Sequence, residues 1–127
     1  MSYQVNFSKV FKISPNIPNE LAKDLNEELD NDWRIYQGSL TQQEYVGGNN
    51  GHYMEDLKLW SETLYGHGYE LEGKSFYQSD EPLYGGCGIV EIVKVSEEPS
   101  KIKETYFGTV LDVLYMFYDD QTGASDQ

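Results

Sequence analysis

The chain has 127 residues, of which 39% are hydrophobic and 14% aromatic, and that length and apolar content suit one domain with its own core rather than a disordered chain. It carries 22 acids against 9 bases, a formal net charge of −13. Such a charge works against nucleic acid and anionic membrane as partners, because few cations are available to displace phosphate counterions.

In chain order, Tyr3, Val5, Phe7, Phe11 and Ile13 alternate with polar residues, interrupted at Lys9 and Val10, and predict a half-buried strand. Pro15 and Pro18 end it, and Asn19 is the expected N-cap of the next element. That element is ELAKDLNEELDND, residues 20–32, with six carboxylates and one lysine. Leu21, Leu25 and Leu29 recur every four residues beside Ala22, so they form one apolar stripe of a helix. Glu20, Asp24, Glu27 and Asp30 fall on the opposite side, with Glu28 on the flank. Acids at the start of the helix suit its dipole, whereas Asp30 and Asp32 at the far end oppose it.

Residues 33–46 predict short strands, Trp33 and Ile35 sharing a face and Glu44-Tyr45-Val46 returning. The run Gly47-Gly48-Asn49-Asn50-Gly51 predicts a turn. Tyr53, Leu57, Trp60 and Leu64 then mark a second amphipathic helix, expected to stop near Gly66 or Gly68. Tyr69 and Leu71 open a strand that Ser75-Phe76-Tyr77 would pair with across Gly73. Residues 87–95 form the clearest strand signal in the chain, and Ser96 to Ser100 read as a turn. Residues 106–118 are rich in strand-favouring types, yet Tyr106, Val110, Val113, Leu114 and Phe117 share one helical face, so a third helix is expected. The polar tail, 121–127, is expected to be disordered.

Short connections marked by glycine and proline favour antiparallel pairing. The expected fold is therefore a single α+β domain over residues 1–120, with two or three amphipathic helices packed on a mainly antiparallel sheet of four to six strands. The opening MSYQVNFSKVFK lacks the apolar core of a secretion signal, and no apolar run reaches the roughly 20 residues that cross a bilayer. A cytoplasmic protein is expected.

The block from Asp56 to Val93 resembles small acidic proteins of bacteria and their phages. The likeness rests on the helix DLKLWSETLYGHGY, the strand YELEG, the aromatic segment SFYQSDEP and the closing GIVEIV. Its matching positions are Gly68, Tyr69, Leu71, Gly73, Gly88 and Ile89, which are turn glycines and core residues. The phrase from Phe7 through Ile13 to the proline-flanked helix is similar too. The sequence departs from the group at Ser75-Phe76-Tyr77-Gln78, where the group tends to carry a tryptophan, and in its long C-terminal extension. What the resemblance implies is a phage or prophage setting, in which small acidic proteins often block host nucleases of the restriction and CRISPR type.

Catalytic chemistry is not expected. The loop GGNNGHYMEDL lacks the Lys-Ser/Thr pair of a phosphate-binding loop, and Glu55 and Asp56 would repel phosphate. A nucleophilic Cys87 would need a histidine in contact and an orienting third group; a thiol opening an apolar strand is more often core filling. As the sole cysteine, Cys87 also excludes an intramolecular disulfide and a cysteine-rich zinc site. His52 and His67 do not fall at a metal-binding spacing, and no calcium-loop pattern occurs, so neither metal nor cofactor is expected.

The acidic surface is the candidate for function. Carboxylates at i and i+4 on a helix lie about 6 Å apart, a scale similar to phosphate spacing along a nucleic-acid strand. Glu20, Asp24, Glu27, Glu28 and Asp30 could therefore occupy a basic groove in place of a polynucleotide. Glu70, Glu72, Asp80 and Glu81 form a second acidic group, and Tyr77 and Tyr84 are expected to add contact area. The expected partner is a basic, nucleic-acid-binding protein of host defence; the alternatives are an immunity protein that neutralises a basic toxin, and a virion component.

Overall fold

The computed structural model describes residues 5–43, 52–80 and 85–115. It is an α+β fold built on one antiparallel sheet, with the apolar stripes of the first two helices buried in the core. The strands are β1 (Val5–Phe7), β2 (Phe11–Ser14), β3 (Trp33–Tyr36), β4 (Ser39–Gln42), β5 (Glu70–Ser79), β6 (Gly86–Val95) and β7 (Glu98–Thr109). The helices are α1 (Asn19–Glu28) and α2 (Tyr53–Gly66), and a third, α3, is described over residues 110–115. The order across the sheet is β3-β4-β2-β5-β6-β7, with β1 also on β5.

Seven strands thus fill six positions, because β1 and β2 share one side of β5. Val5 to Phe7 pair with Ser79 to Tyr77, and Lys12 to Ser14 pair with Glu72 to Glu70. The break between them falls at Ser8 to Val10, where the alternation of the sequence also breaks. There the ladder is carried by a bond from the Ser8 amide to the Phe76 carbonyl, and by one from the Lys9 amide to Ser75 Oγ. Gln42 ties the short β1 strand in place, since its Oε1 accepts from the Phe7 amide and its Nε2 donates to the Val5 carbonyl.

Several elements follow the sequence reading closely. Leu25 and Leu29 are buried and Leu21 and Ala22 half-buried, so the leucine stripe of α1 faces the core. Leu57, Trp60 and Leu64 of α2 are fully buried. The end of α2 is set by Gly68, whose φ of +89° lets its own amide bond Tyr65 and the Tyr69 amide bond Leu64. That paired closure needs a left-handed residue, which glycine adopts without steric cost.

Other elements differ, each for a physical reason. Pro18 rather than Asn19 is the capping residue of α1, with no side-chain bond, and the helix ends at Glu28. Asp30 and Asp32 consequently lie in the connection to β3 and not in the helix. The strand returning from β3 is Ser39–Gln42, turned by Gln37 and Gly38, both at positive φ as a two-residue hairpin requires; residues 44–46 lie outside the described residues. Gly73 is not a turn between two short strands, because β5 runs straight through it. A Cβ there would come within 3.0 Å of the Phe11 ring, so glycine serves close strand approach.

The largest difference is β7. Residues 98–109 form a strand where a turn and then a helix were expected, and α3 starts only at residue 110. Pro99 is tolerated because β7 lies at an end of the sheet, where a missing N–H breaks no ladder. The core side of β7 carries Ser100, Ile102, Glu104 and Tyr106, and a glutamate in that row hides the alternation from a hydrophobicity reading.

α2 lies along β7 and is held at two points. Tyr53 donates to Glu104, and Ser61 Oγ donates to the Ser100 carbonyl at 2.6 Å. Eight helical residues rise about 12 Å, and four strand residues about 13 Å, so both anchors can close together.

Candidate functional site

α1 packs on β3, and the contact is fixed by a side chain that behaves like a strand. Asn26 Oδ1 accepts from the Ile35 amide at 2.7 Å, and Asn26 Nδ2 donates to the Ile35 carbonyl at 3.0 Å. The outer ladder groups of β3 are thereby satisfied, and α1 is held in one orientation. Asn31 braces the following turn, its Oδ1 accepting from the Trp33 amide and from Trp60 Nε1, both at 2.9 Å.

With Leu25 and Leu29 in the core, Glu20, Asp24, Glu27, Glu28 and Asp30 are all exposed. None of the five forms an ion pair among the described residues. Beside them, between α1 and β3, lies a polar groove of about 410 Å³, lined by Asn26, Glu27, Asp30, Arg34 and Tyr36 among others. Tyr36 is 54% exposed, with the Arg34 guanidinium 5.9 Å from its ring centre. This tyrosine stands beside the acids, and strand alternation marks it: Trp33 and Ile35 point inward, so Arg34 and Tyr36 point out.

The second acidic group does not assemble as one patch. Glu70 and Asp80 stand at the two ends of β5, roughly 33 Å apart at the strand's rise per residue. Glu72 faces Lys12 across the ladder and pairs with Lys94 at 3.7 Å. Glu81 and Tyr84 lie outside the described residues.

Tyr77 corrects the sequence reading. It is 2% exposed, so it offers no contact area to a partner. Its ring sits among Phe7 and Tyr53, with centroids 5.6 and 5.2 Å away, and its hydroxyl donates to Glu104 Oε2. Tyr53 donates to the same oxygen. Burial, reinforced by the bond to Glu104, pushes the Tyr53 hydroxyl up to about 12, and the same causes in the same order hold Tyr77 well above the ordinary phenol range. Both phenols are donors near neutral pH and unsuited to act as bases or nucleophiles. The cluster is a latch joining α2, β5 and β7.

Cys87 is 2% exposed, and burial pushes its thiol up, which disfavours a nucleophilic thiolate. Asp56 is also raised, first by burial and then by the nearby Asp32 carboxylate. Among the described residues no three His, Cys, Asp or Glu side chains converge as metal ligands, and no helix is long and apolar enough to cross a membrane. A second groove of about 440 Å³, between α2 and β7, carries Lys58 and Glu62 on one wall and Glu98 and Lys101 on the other, a balanced set with no converging chemistry.

Comparison of the chain with protein-family models, curated proteins and solved structures gives no match.

Proposed function

We propose that this chain is an inhibitory binding protein whose α1 face occupies a cationic, nucleic-acid-binding surface on another protein. The observation that carries the reading is the unneutralised row Glu20, Asp24, Glu27 and Glu28 on a helix pinned by Asn26 and its leucines, continued by Asp30 just beyond its end. Fixing the helix in advance matters, because carboxylates already held at their spacing lose little freedom on binding. Their attraction for Lys and Arg is the same force that draws a polynucleotide to that surface, and it weakens with salt. Tyr36 supplies exposed ring area beside the charges, the kind of amphipathic contact that interfaces favour. The phage-like resemblance of residues 56–93 suggests the target class: a host defence nuclease of the restriction or CRISPR type.

The test is affinity capture from host lysate at low and high salt, followed by a nucleic-acid binding assay on the captured protein. A basic protein should be retained at low salt, released at high salt, and lose its nucleic acid when this chain is added. The double substitution Glu27→Lys and Glu28→Lys should lower that affinity by at least tenfold. Retention of nothing basic at low salt, or equal affinity in the reversed variant, would sink the proposal. Capture of a toxin encoded beside this chain would reassign it as an immunity protein.

A further inference from the structure

The groove between α2 and β7 carries no reactive group, yet it borders a strand with nothing beyond it. β7 is the last strand of the sheet. Between Glu98 and Phe107 its backbone takes one bond from outside the β6 ladder among the described residues, from Ser61 Oγ to the Ser100 carbonyl. The opposite end of the sheet is closed differently, since Asn26 occupies both ladder groups of Ile35 in β3. Glu98, Pro99, Ser100, Lys101 and Ile102 all line the groove. Side chains of a strand alternate between its two faces, so five consecutive residues can border one groove only along the strand's edge. The other wall is a single row of α2, Met54, Lys58 and Glu62, spaced four residues apart.

We propose that this edge takes an extended segment of a different protein, added to the sheet as a further antiparallel strand against β7. Unpaired ladder groups select an extended backbone, and the pockets beside them select its alternate side chains. The dimensions of the two walls agree: four helical residues rise about 6 Å, and two strand residues about 6.8 Å. Every second side chain of the segment therefore meets the next member of the α2 row. The anchors from Tyr53 to Glu104 and from Ser61 to Ser100 show that α2 runs against the direction of β7. An antiparallel segment thus passes Met54, Lys58 and Glu62 in that order. Met54 and Ile102, both half-buried, make the end nearer Tyr53 apolar. Lys58 and Glu62 form no ion pair among the described residues. The complementary segment is apolar at one position, acidic two residues on, and basic two residues after that. Pro99, Lys101 and Lys103 discourage the pairing of two bare β7 edges, which argues against a second copy as the occupant. This inference stands apart from the function proposed above, because α1 packs on β3 at the far end of the sheet.

Selection of random decapeptides on the immobilised full chain tests this. Enriched peptides should share the apolar, acidic and basic residues at alternate positions, in that order. Titrating one of them into the isotope-labelled chain should shift the backbone amide resonances of residues 100–104 and of α2. Methylating the nitrogens of one alternate set of its residues should weaken binding at least tenfold, because those N–H groups face β7, and methylating the other set should not. Lys58→Glu, an exposed change that should leave circular dichroism unaltered, should replace the preferred acid by a base. Glu27→Lys/Glu28→Lys should bind the same peptide as wild type does, which separates this site from the α1 face. Enrichment of no such pattern, shifts that map away from β7, or tolerance of methylation at every position would overturn the proposal. So would sedimentation of the free chain as a dimer whose formation blocks the peptide.

Discussion

Tyr77 and Glu104 sit two strands apart on the core side of the sheet, and the buried phenol of one donates to the carboxylate of the other across β6. The strand between them carries Gly88 opposite both Tyr77 and Tyr106, so the tyrosine ring passes over a position with no side chain. A Cβ at Gly88 would lie 2.3 Å from the Thr105 carbonyl oxygen and 2.7 Å from the Tyr77 hydroxyl.

Gly88→Ala should therefore destabilise the fold by about 2–3 kcal/mol, the scale of overpacking against backbone that cannot yield. Urea unfolding should show a lower midpoint with an unchanged slope. An alanine variant as stable as wild type would mean the ring has room to move aside.

Removing the acceptor tests the latch itself. Glu104→Ala leaves two phenol donors without their partner and should cost about 1–3 kcal/mol, whereas Tyr77→Phe should cost about 1. Because both remove the same bond, the double variant should cost less than the sum of the singles. Strict additivity in that cycle would show that the hydrogen bond contributes nothing.

Alkali should unfold the protein through these tyrosines. Their folded hydroxyls hold protons more tightly than in the unfolded chain, Tyr53 up to about 12 against an ordinary value near 10. The folded state then binds more protons than the unfolded state in that interval. The stabilisation is complete below pH 10 and is lost as pH rises from about 10 towards 12 and beyond. Absorbance of tyrosinate should show a final phase, from Tyr53 and Tyr77, coincident with loss of helical circular dichroism. All eleven tyrosines titrating together, near 10 in the folded protein, would contradict this.

Cys87 offers a simpler readout. At 2% exposure, with its Sγ 3.7 Å from the Gly108 carbonyl, it should resist a thiol reagent at pH 8 in the native protein and react at once in denaturant. Rapid native labelling would place the thiol at the surface.

Asn26→Asp tests how α1 is held. The carboxylate can still accept from the Ile35 amide but cannot donate to the Ile35 carbonyl, so the variant should lose about 1–3 kcal/mol. Glu28→Lys, two positions along on the exposed face, should stay within about 0.5 kcal/mol of wild type. Similar losses in both would indicate that the bidentate contact does not anchor the helix.

Local periodicity alone determined α1, α2, β6, the class of the fold and the row of carboxylates on α1. In each of these the hydrophobic stripe and the burial coincide, because Leu25, Leu29, Leu57, Trp60 and Leu64 have nowhere to go but the core. Tertiary structure alone decided β7, the burial of Tyr77, and the dispersal of Glu70, Glu72 and Asp80 along β5. Those outcomes depend on contacts between residues distant in sequence. Glu104 can face the core side only because Tyr53 and Tyr77 arrive there to donate to it, and Tyr77 can lie flat only because Gly88 stands opposite.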